Sequence, residues 1–249
     1  MHATSFFILT AATLLLACSG ERSKPEARQG DDAVIAPVGL PVTAHASGCG
    51  ALKLLALTLQ PESASLQLYA ALKNEGDEPA CSPAFSVSLL DKSAQSLAMG
   101  VGGLLVQRFY QLADGSGTMA ACVAPGDVTM IALTDLTAEV ALEDVGGVEY
   151  WCNFWTLDVV PIEGFSISEV QPVSQATGVS YTGALANGFD TVVTNPSVAV
   201  FPLNRAGRPL GMALGRGQAE LPPGGSWSFE TSTVSEPGVA QAAYPAGGP

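Results

Sequence analysis

Apolar and polar residues alternate in several short stretches of this chain. The clearest are Leu55/Leu57/Leu59, Phe85/Val87/Leu89, Val198/Val200 and Trp227/Phe229, each interleaved with small or polar residues. Because successive side chains of a β-strand point to opposite faces of the sheet, this period predicts strands that bury one face. Pro-Gly and Asn-Gly pairs recur at the spacing expected of turns between short strands. The pattern therefore predicts an all-β protein.

Part of this pattern occurs twice, at a constant offset of 113 residues. The matching pairs are Asn74 and Asn187, Pro83 and Pro196, Leu97 and Leu210, and Met99 and Met212. The Pro-Gly turn at Pro125 comes fifteen residues later than its counterpart at Pro223 would require. The first copy therefore contains an insertion, which we place from Gly100 to about Ala121. Chance similarity between two generic β segments is the alternative explanation of the repeat.

The two copies predict two tandem antiparallel immunoglobulin-like β-sandwich modules, the first at 48–160 with the insertion and the second at 161–234. The Gly-, Ala- and Pro-rich end of the chain, 235–249, is predicted to be disordered. Within the insertion, the apolar run from Leu104 to Tyr110 predicts an extra strand or a hydrophobic loop. Loops that differ between two copies of one scaffold tend to carry function, so the insertion is a candidate functional segment.

The order of these signals resembles a known family. An Asn after a strand, then Pro, an alternating strand, a polar turn and a later Leu-x-Pro-Gly turn with an aromatic strand looks like the FxLYD type of bacterial immunoglobulin-like domain. The resemblance covers 66–133 and 179–232, although the aromatic motif that names the family is absent. Domains of that family are generally non-catalytic accessory modules on envelope proteins. The resemblance thus implies a fold and an accessory role rather than an activity.

The N-terminus predicts export. The apolar run Phe6–Leu16 rises about 16 Å as a helix, which is too short to cross a bilayer core but has the length of a signal-peptide core. It ends in Leu15, Leu16, Ala17 and Cys18, which resembles the bacterial lipobox. The resemblance implies cleavage of a signal peptide at 1–17 and lipidation of Cys18. An ordinary secretory signal with an accidental Cys is the alternative, since no Lys or Arg precedes the run.

The residues after Cys18 predict a spacer and a membrane. The segment 18–47 is polar and has no apolar period, so it predicts a flexible linker that holds the folded part away from the lipid surface. Ser19, rather than Asp, directly follows Cys18, which resembles lipoproteins sent to the outer rather than the inner membrane. The expected location is therefore the bacterial cell envelope, outside the cytoplasm, with the lipid as the anchor.

Cysteine parity agrees with lipidation. The chain has five cysteines, and removing Cys18 leaves an even set: Cys49, Cys81, Cys122 and Cys152. In an oxidising compartment four cysteines predict two disulfides, with three possible connectivities. None of them has Cys-x-x-Cys spacing, so neither a thioredoxin-like redox site nor a zinc knuckle is expected.

The net charge and the residue types restrict the classes of function that are expected. The formal net charge is −13, which disfavours nucleic acid and anionic lipid as partners because both would repel the chain. After cleavage only His45 remains as a histidine, and it falls in the predicted linker, where a positioned proton shuttle is not expected. No nucleophile elbow or phosphate-binding loop is present in the sequence. We therefore expect no enzyme, no catalytic residue and no cofactor.

Two surfaces are candidate binding sites. In the stretch from Tyr150 to Trp155, strand alternation places Trp151 and Trp155 on one face, where two rings can form a platform for a sugar or a partner chain. The favoured alternative is that this face packs against the second module, because tandem domains need a joint. The acidic residues Glu139, Glu143, Asp144 and Glu149 can supply hard oxygens to Ca²⁺, but a solvated acidic face is favoured and no metal is expected.

The sequence thus predicts a non-enzymatic, membrane-anchored envelope lipoprotein. Its β modules are expected to bind or scaffold another envelope component, an envelope protein or a surface partner. The alternative is an extracytoplasmic small-ligand binder for carbohydrate or calcium.

Overall fold

A computed structural model describes most of the chain after residue 42. The described residues are 43–46 (backbone only), 49–62, 65–115, 119–134, 136, 140–217, 220–235 and 238–246. The predicted signal peptide, the lipobox residues Leu15, Leu16 and Ala17, Cys18 and most of the predicted linker lie outside these residues. The described residues form one unit by their mutual contacts.

The described chain is built of β-strands and one 3₁₀ turn, Leu142–Asp144. The strands of the first half are β1 (Thr43–Ala46), β2 (Leu52–Glu62), β3 (Ser65–Asn74), β4 (Ala80–Leu90), β5 (Ser96–Gly103), β6 (Arg108–Leu112), β7 (Met119–Val123), β8 (Val128–Leu133), β9 (Gly147–Trp155) and β10 (Val159–Ile162). The strands of the second half are β11 (Phe165–Gln175), β12 (Gly178–Asn187), β13 (Val193–Thr194), β14 (Ser197–Leu203), β15 (Ala213–Arg216), β16 (Glu220–Leu221), β17 (Ser226–Glu230) and β18 (Ala240–Pro245). The prediction of an all-β fold is confirmed.

The first half, which we call copy one (49–155), packs two sheets against each other. The β2-β3-β8 sheet faces a larger sheet in which β5 and β9 flank β4, and which continues from β4 through β7 and β6 to β10. Leu57 and Leu68 from one sheet meet Phe85 and Leu89 from the other in a single core. Burial of each such side chain stabilises the folded state by about 1.5–3 kcal/mol. Alternating apolar residues therefore predicted strands that bury one face.

The second half, copy two (165–246), repeats this arrangement with fewer strands. The β11-β12-β17 sheet faces the β15-β14-β18 sheet, and β13 pairs with β16 between them. Tyr181 and Leu185 pack on Val198 and Val200 to form its core. The sheets are antiparallel, apart from β1, and face each other as in an immunoglobulin-like β-sandwich. A division into two independent domains, near residue 160 or elsewhere, remains a prediction, because the contacts join both copies into one unit.

The repeat extends to individual hydrogen bonds. The side-chain amide of Asn74 donates to the carbonyls of Glu78 and Val123, at 2.8 and 2.9 Å. The amide of Asn187 donates at 2.9 and 3.0 Å to the carbonyls of Thr191 and Leu221, which are the corresponding residues. Both asparagines are fully buried. A duplicated network of this kind supports the internal repeat over chance similarity.

The predicted disordered tail is wrong for Ala240–Pro245, which form β18. This strand pairs along β14 in the way that β9 pairs along β4, so copy two ends with its final strand rather than at 234. The strand escaped prediction because alanines carry no strong alternation. It is stabilised by its ladder with β14 and by burial of Tyr244.

The predicted linker is also too long. Thr43–Ala46 form β1, which lies parallel to the start of β9, because the edge of β9 offers backbone donors and acceptors to an extended segment. Among the described residues, no helix is long and apolar enough to span a bilayer.

Candidate functional site

Cys49, Cys81, Cys122 and Cys152 form two disulfides, as predicted. Cys49 bonds to Cys152 and Cys81 bonds to Cys122. Cys81 and Cys122 are direct neighbours across the β4–β7 pair, whereas Cys49 ties the start of copy one to β9. All four sulfurs belong to buried residues, so they are structural cross-links rather than an accessible redox site. Both disulfides lie in copy one, and they agree with folding in an oxidising compartment.

Trp151 and Trp155 lie on β9, the last strand of copy one. Tyr150 and Cys152 are buried, while Trp151 is half-buried and Trp155 is 65% exposed. This burial pattern follows the predicted alternation. The alternative, in which the tryptophan face packs against copy two, is wrong for Trp155, because a ring with this exposure is not buried in an interface.

Trp151 shares its face of the sheet with residues of two neighbouring strands. It lies opposite Ser86 of β4, and Ser86 lies opposite Val101 of β5. Directly opposed residues of antiparallel strands point to the same face, so these three form one row. The next row consists of Met99, Ser88 and Glu149. We call these six residues the open face; Val101 is 67% exposed on it.

The corresponding face of copy two is buried. Its residues at the positions of the open face are Ala199, Phe201, Met212, Leu214, Tyr244 and Ala242. Ala199 and Phe201 are fully buried. They pack on the outer face of the β2-β3-β8 sheet of copy one, formed by Ala56, Tyr69, Ala71 and Met130. We call this interface the joint.

Aromatic rings hold the joint together. The ring of Phe201 contacts Tyr69 edge-on at a centroid distance of 6.4 Å and Tyr244 at 6.1 Å. Such pairs contribute about 0.5–1.5 kcal/mol beyond their buried area. The hydroxyl of Tyr244 donates to the carbonyl of Val128 at 3.0 Å, which satisfies its polar group. Burial raises the pKa of Tyr244 above its ordinary value, so the ring stays neutral.

The surface that receives the joint is not repeated in copy two. The register puts Thr182, Ala184 and Ser228 of copy two at the positions of Tyr69, Ala71 and Met130. This surface lines a shallow groove together with Glu169 and Glu230. Copy two therefore presents a polar surface where copy one presents an apolar one.

The insertion forms a second connection between the copies. Its apolar run gives the strand β6, as one of the two predicted forms, and Phe109 of this strand is buried in the core of copy two. Phe109 contacts Phe165 and Phe189 edge-on at 5.8 and 5.1 Å. The side-chain amide of Gln107 donates to the carbonyl of Ala243 at 3.0 Å. The insertion thus packs against copy two; a binding role for it remains a prediction.

The predicted calcium residues are not brought together. Glu143 and Asp144 lie in the 3₁₀ turn, Glu149 lies on β9, and Glu139 is outside the described residues. Within the described part of the chain, no group of three His, Cys, Asp or Glu residues could hold a metal ion. His45 lies in β1, and the position of its side chain is outside the description.

Two further grooves, of about 580 and 590 Å³, border on copy two. One, of about 590 Å³, lies between the copies and is lined mostly by polar residues, with Gln60 and Gln67 on one side and Ser232 and Thr233 on the other. The other, of about 580 Å³, lies between β11 and β18. We call it the β18 groove. Its lining residues are Gln107, Phe165, Ser166, Ile167, Val170, Gln241, Ala242, Ala243 and Pro245.

The sequence predicted the tryptophans but missed the larger surface to which Trp151 belongs. The internal repeat of the sequence was the signal that could have found this surface. Because Met99 matches Met212, the face that copy two buries in the joint has a counterpart in copy one.

Comparisons with known proteins give little further information. No protein family matches the chain, and no curated protein sequence is similar to it. Among solved structures, the chain is weakly similar to a transglutaminase of red sea bream, with 10% identity and a TM-score of 0.19. That similarity covers 76% of this chain but only 27% of the transglutaminase. At this score the similarity supports no statement about fold or function.

Proposed function

We propose that this protein is a non-enzymatic lipoprotein of the cell envelope, anchored by Cys18, whose β-sandwich copies bind another envelope protein. The two disulfides support an oxidising, extracytoplasmic location. The lipobox-like residues Leu15 to Cys18 support the anchor, and Ser19 supports the outer membrane. The FxLYD-like order of turns and strands is in keeping with an accessory binding role.

The observation that carries the binding role is the open face. In copy two the same face is apolar and buried against a sheet of copy one. In copy one three of the six positions are apolar, with Val101 67% and Met99 50% exposed and Trp151 half-buried, whereas Ser86, Ser88 and Glu149 are polar. Exposed apolar groups set among polar ones are typical of protein interaction sites. The expected partner presents an apolar sheet surface like that formed by Tyr69 and Met130.

The test is cross-linking in intact cells of the full chain with a C-terminal tag, followed by affinity capture under denaturing conditions. The wild type is expected to capture one defined envelope protein, and Cys18→Ser is expected to lose it. Val101→Glu places a charge on the open face and should abolish capture. Val239→Glu is the matched control, because Val239 has the same 67% exposure but lies in copy two. Capture that survives Val101→Glu would contradict the open face as the binding site.

A carbohydrate-binding role is the second candidate, and the 65% exposure of Trp155 is the observation that favours it. An exposed indole ring can stack on a sugar ring. Retention of the full chain on a glycan matrix, lost in Trp155→Ala but kept in Val239→Ala, would support this role. No retention on any glycan matrix would exclude it as the function of Trp155.

A further inference from the structure

One edge of copy two is built like an edge that copy one fills with a strand. In copy one, β1 lies parallel along β9 and pairs with Gly147–Tyr150. In copy two, β18 takes the place of β9: Leu90 pairs with Gly147, and Leu203, 113 residues after Leu90, pairs with Ala240. The positions that β1 covers therefore correspond to Ala240–Ala243. Within the described part of the chain, β18 pairs with β14 alone.

The free edge of β18 carries hydrogen-bonding groups. The N–H of Ala246 donates to the carbonyl of Ser197 on β14, at 2.9 Å. Alternate residues of an antiparallel strand direct their N–H and C=O groups to opposite sides. Gln241 and Ala243 consequently direct theirs away from β14, toward the free edge, where the carbonyl of Ala243 already accepts the side-chain amide of Gln107 at 3.0 Å. Pro245, next in this series, has no N–H, so the available edge ends there.

The β18 groove lies beside this edge and has an uncharged lining of apolar and polar residues. Phe165, Ile167 and Val170 contribute side chains from β11, and none of the lining residues is charged. The side-chain amide of Gln241 donates to the carbonyl of Val170 at 2.9 Å, which links β18 to β11. An occupant with charged side chains would be desolvated here without a partner, which is unfavourable.

We propose that the β18 groove binds an extended, uncharged segment of a partner protein, which adds to β18 as a parallel strand. The inference deepens the proposed function and rests on it, because it supplies a second site and a chemistry for the partner. The added strand would take the place that β1 has in copy one. The main chain of the segment would bond to the N–H and C=O of Gln241 and to the N–H of Ala243, and its apolar side chains would contact Phe165 and Ile167. Strand addition of this kind combines affinity from the backbone with specificity from alternate side chains.

Charge argues for a partner other than a second copy of this chain. Each copy of the chain carries a formal net charge of −13, so two copies repel each other. A partner that contributes an uncharged strand does not bring this repulsion to the groove.

The experiment places a photo-cross-linking amino acid at Ser166 in the full, lipid-anchored chain in cells. Ser166 is exposed and lines the β18 groove. The matched control places the same group at Ser228, which is exposed on the same surface of the sheet formed by β11, β12 and β17 but lines the shallow groove beside Thr182 and not the β18 groove. The expected product at Ser166 is a partner whose cross-linked peptide, identified by mass spectrometry, is uncharged over at least four residues. No such product is expected at Ser228.

The edge itself is tested by Ala243→Pro, which removes an outward N–H and leaves the β14 ladder intact, as the native Pro245 does. Ala243→Ser keeps the N–H and is the control. The cross-link should fall by about tenfold in Ala243→Pro, as expected when an added strand loses a backbone hydrogen bond, and persist in Ala243→Ser. Circular dichroism of both variants checks that each is folded.

Three results would overturn the inference: a cross-link undiminished in Ala243→Pro, a charged cross-linked peptide, or a peptide from a second copy of this chain. If affinity capture yields a partner that is lost in Val101→Glu but no product forms at Ser166, the inference is also overturned, while the proposed function stands. Absence of any partner in both experiments would refute both.

Discussion

Asn74 and Asn187 occupy the same position in the two copies and make the same hydrogen bonds. Each lies at the end of the second strand of its copy, fully buried, and its side-chain amide joins two carbonyls that belong to different segments. Each Oδ1 also accepts an N–H from the residue two positions later, Gly76 or Phe189. The side chain therefore holds the turn after the strand against a distant part of the same copy.

Replacing either asparagine by alanine should strongly destabilise the protein. Asn187→Ala leaves the buried carbonyl of Leu221 without a donor and the buried N–H of Phe189 without an acceptor, so we expect a loss of about 2–3 kcal/mol in the free energy of unfolding, and Asn74→Ala should cost a similar amount. Urea denaturation measures both. Asn204→Ala is the control: its side chain caps the N–H groups of Ala206 and Arg208 in a solvent-accessible turn, and water can replace it. A loss in Asn204→Ala as large as in Asn187→Ala would contradict this explanation.

The missing disulfide of copy two can be introduced. Thr194 and Glu220 are paired across β13 and β16 where copy one has Cys81 and Cys122, and both are exposed. The double variant Thr194→Cys/Glu220→Cys should form the bond and raise the free energy of unfolding by about 3 kcal/mol. Mass spectrometry after alkylation detects the bond, and the Thr194→Ser/Glu220→Ser variant controls for the substitutions themselves. Two alkylated thiols at these positions would show that the registers of the two copies differ.

The joint should couple the stabilities of the two copies. Tyr69 and Phe201 are in contact across it, so their alanine substitutions should be non-additive by about 0.5–1.5 kcal/mol in a double-mutant cycle. Phe201→Ala alone should cost about 3–5 kcal/mol, because its ring is fully buried. A control cycle that pairs Tyr69→Ala with Phe229→Ala should be additive, because Phe229 lies in the core of copy two, away from the joint. Additivity of the Tyr69/Phe201 pair would mean that the joint carries no coupling.

Alkaline pH should weaken the joint. The folded protein holds the hydroxyl proton of Tyr244 more tightly than the unfolded chain, because burial raises the pKa of Tyr244 above its ordinary value of 10.0. The unfolded state therefore binds fewer protons above about pH 10, and stability falls as the pH rises through that region, after being constant below it. Denaturation from pH 7 to 11 should show a shallower fall in Tyr244→Phe. Equal slopes in the two proteins would exclude Tyr244 as a contributor.

Local alternation was enough to predict the fold class and several strands. Leu57, Phe85, Val200 and Phe229 were all expected to be buried and are. The five cysteines also predicted the number of disulfides correctly, because parity does not depend on geometry. Their connectivity needed the structure, since Cys49 and Cys152 become neighbours only when β9 pairs with β4.

Contacts between the two copies could not be predicted from periodicity. Strand alternation places Phe201 on the face opposite to that of Val200 and so predicts that Phe201 is exposed. Phe201 is buried in the joint instead, because both faces of β14 are covered. β18 was missed for the same reason, since its stability comes from pairing with a distant strand. Phe109 was assigned to an insertion with its own role, whereas its ring completes the core of copy two.

Because of the joint, the surfaces at the two ends of the two-copy arrangement differ. The face of copy two that Phe201 occupies sits on the apolar sheet surface around Tyr69, and copy one offers its own version of that face around Val101. The surface of copy two that corresponds to Tyr69 and Met130 carries Thr182 and Ser228 instead. The two ends of the molecule therefore differ: the end that carries Val101 presents exposed apolar groups, and the end that carries Thr182 presents polar ones.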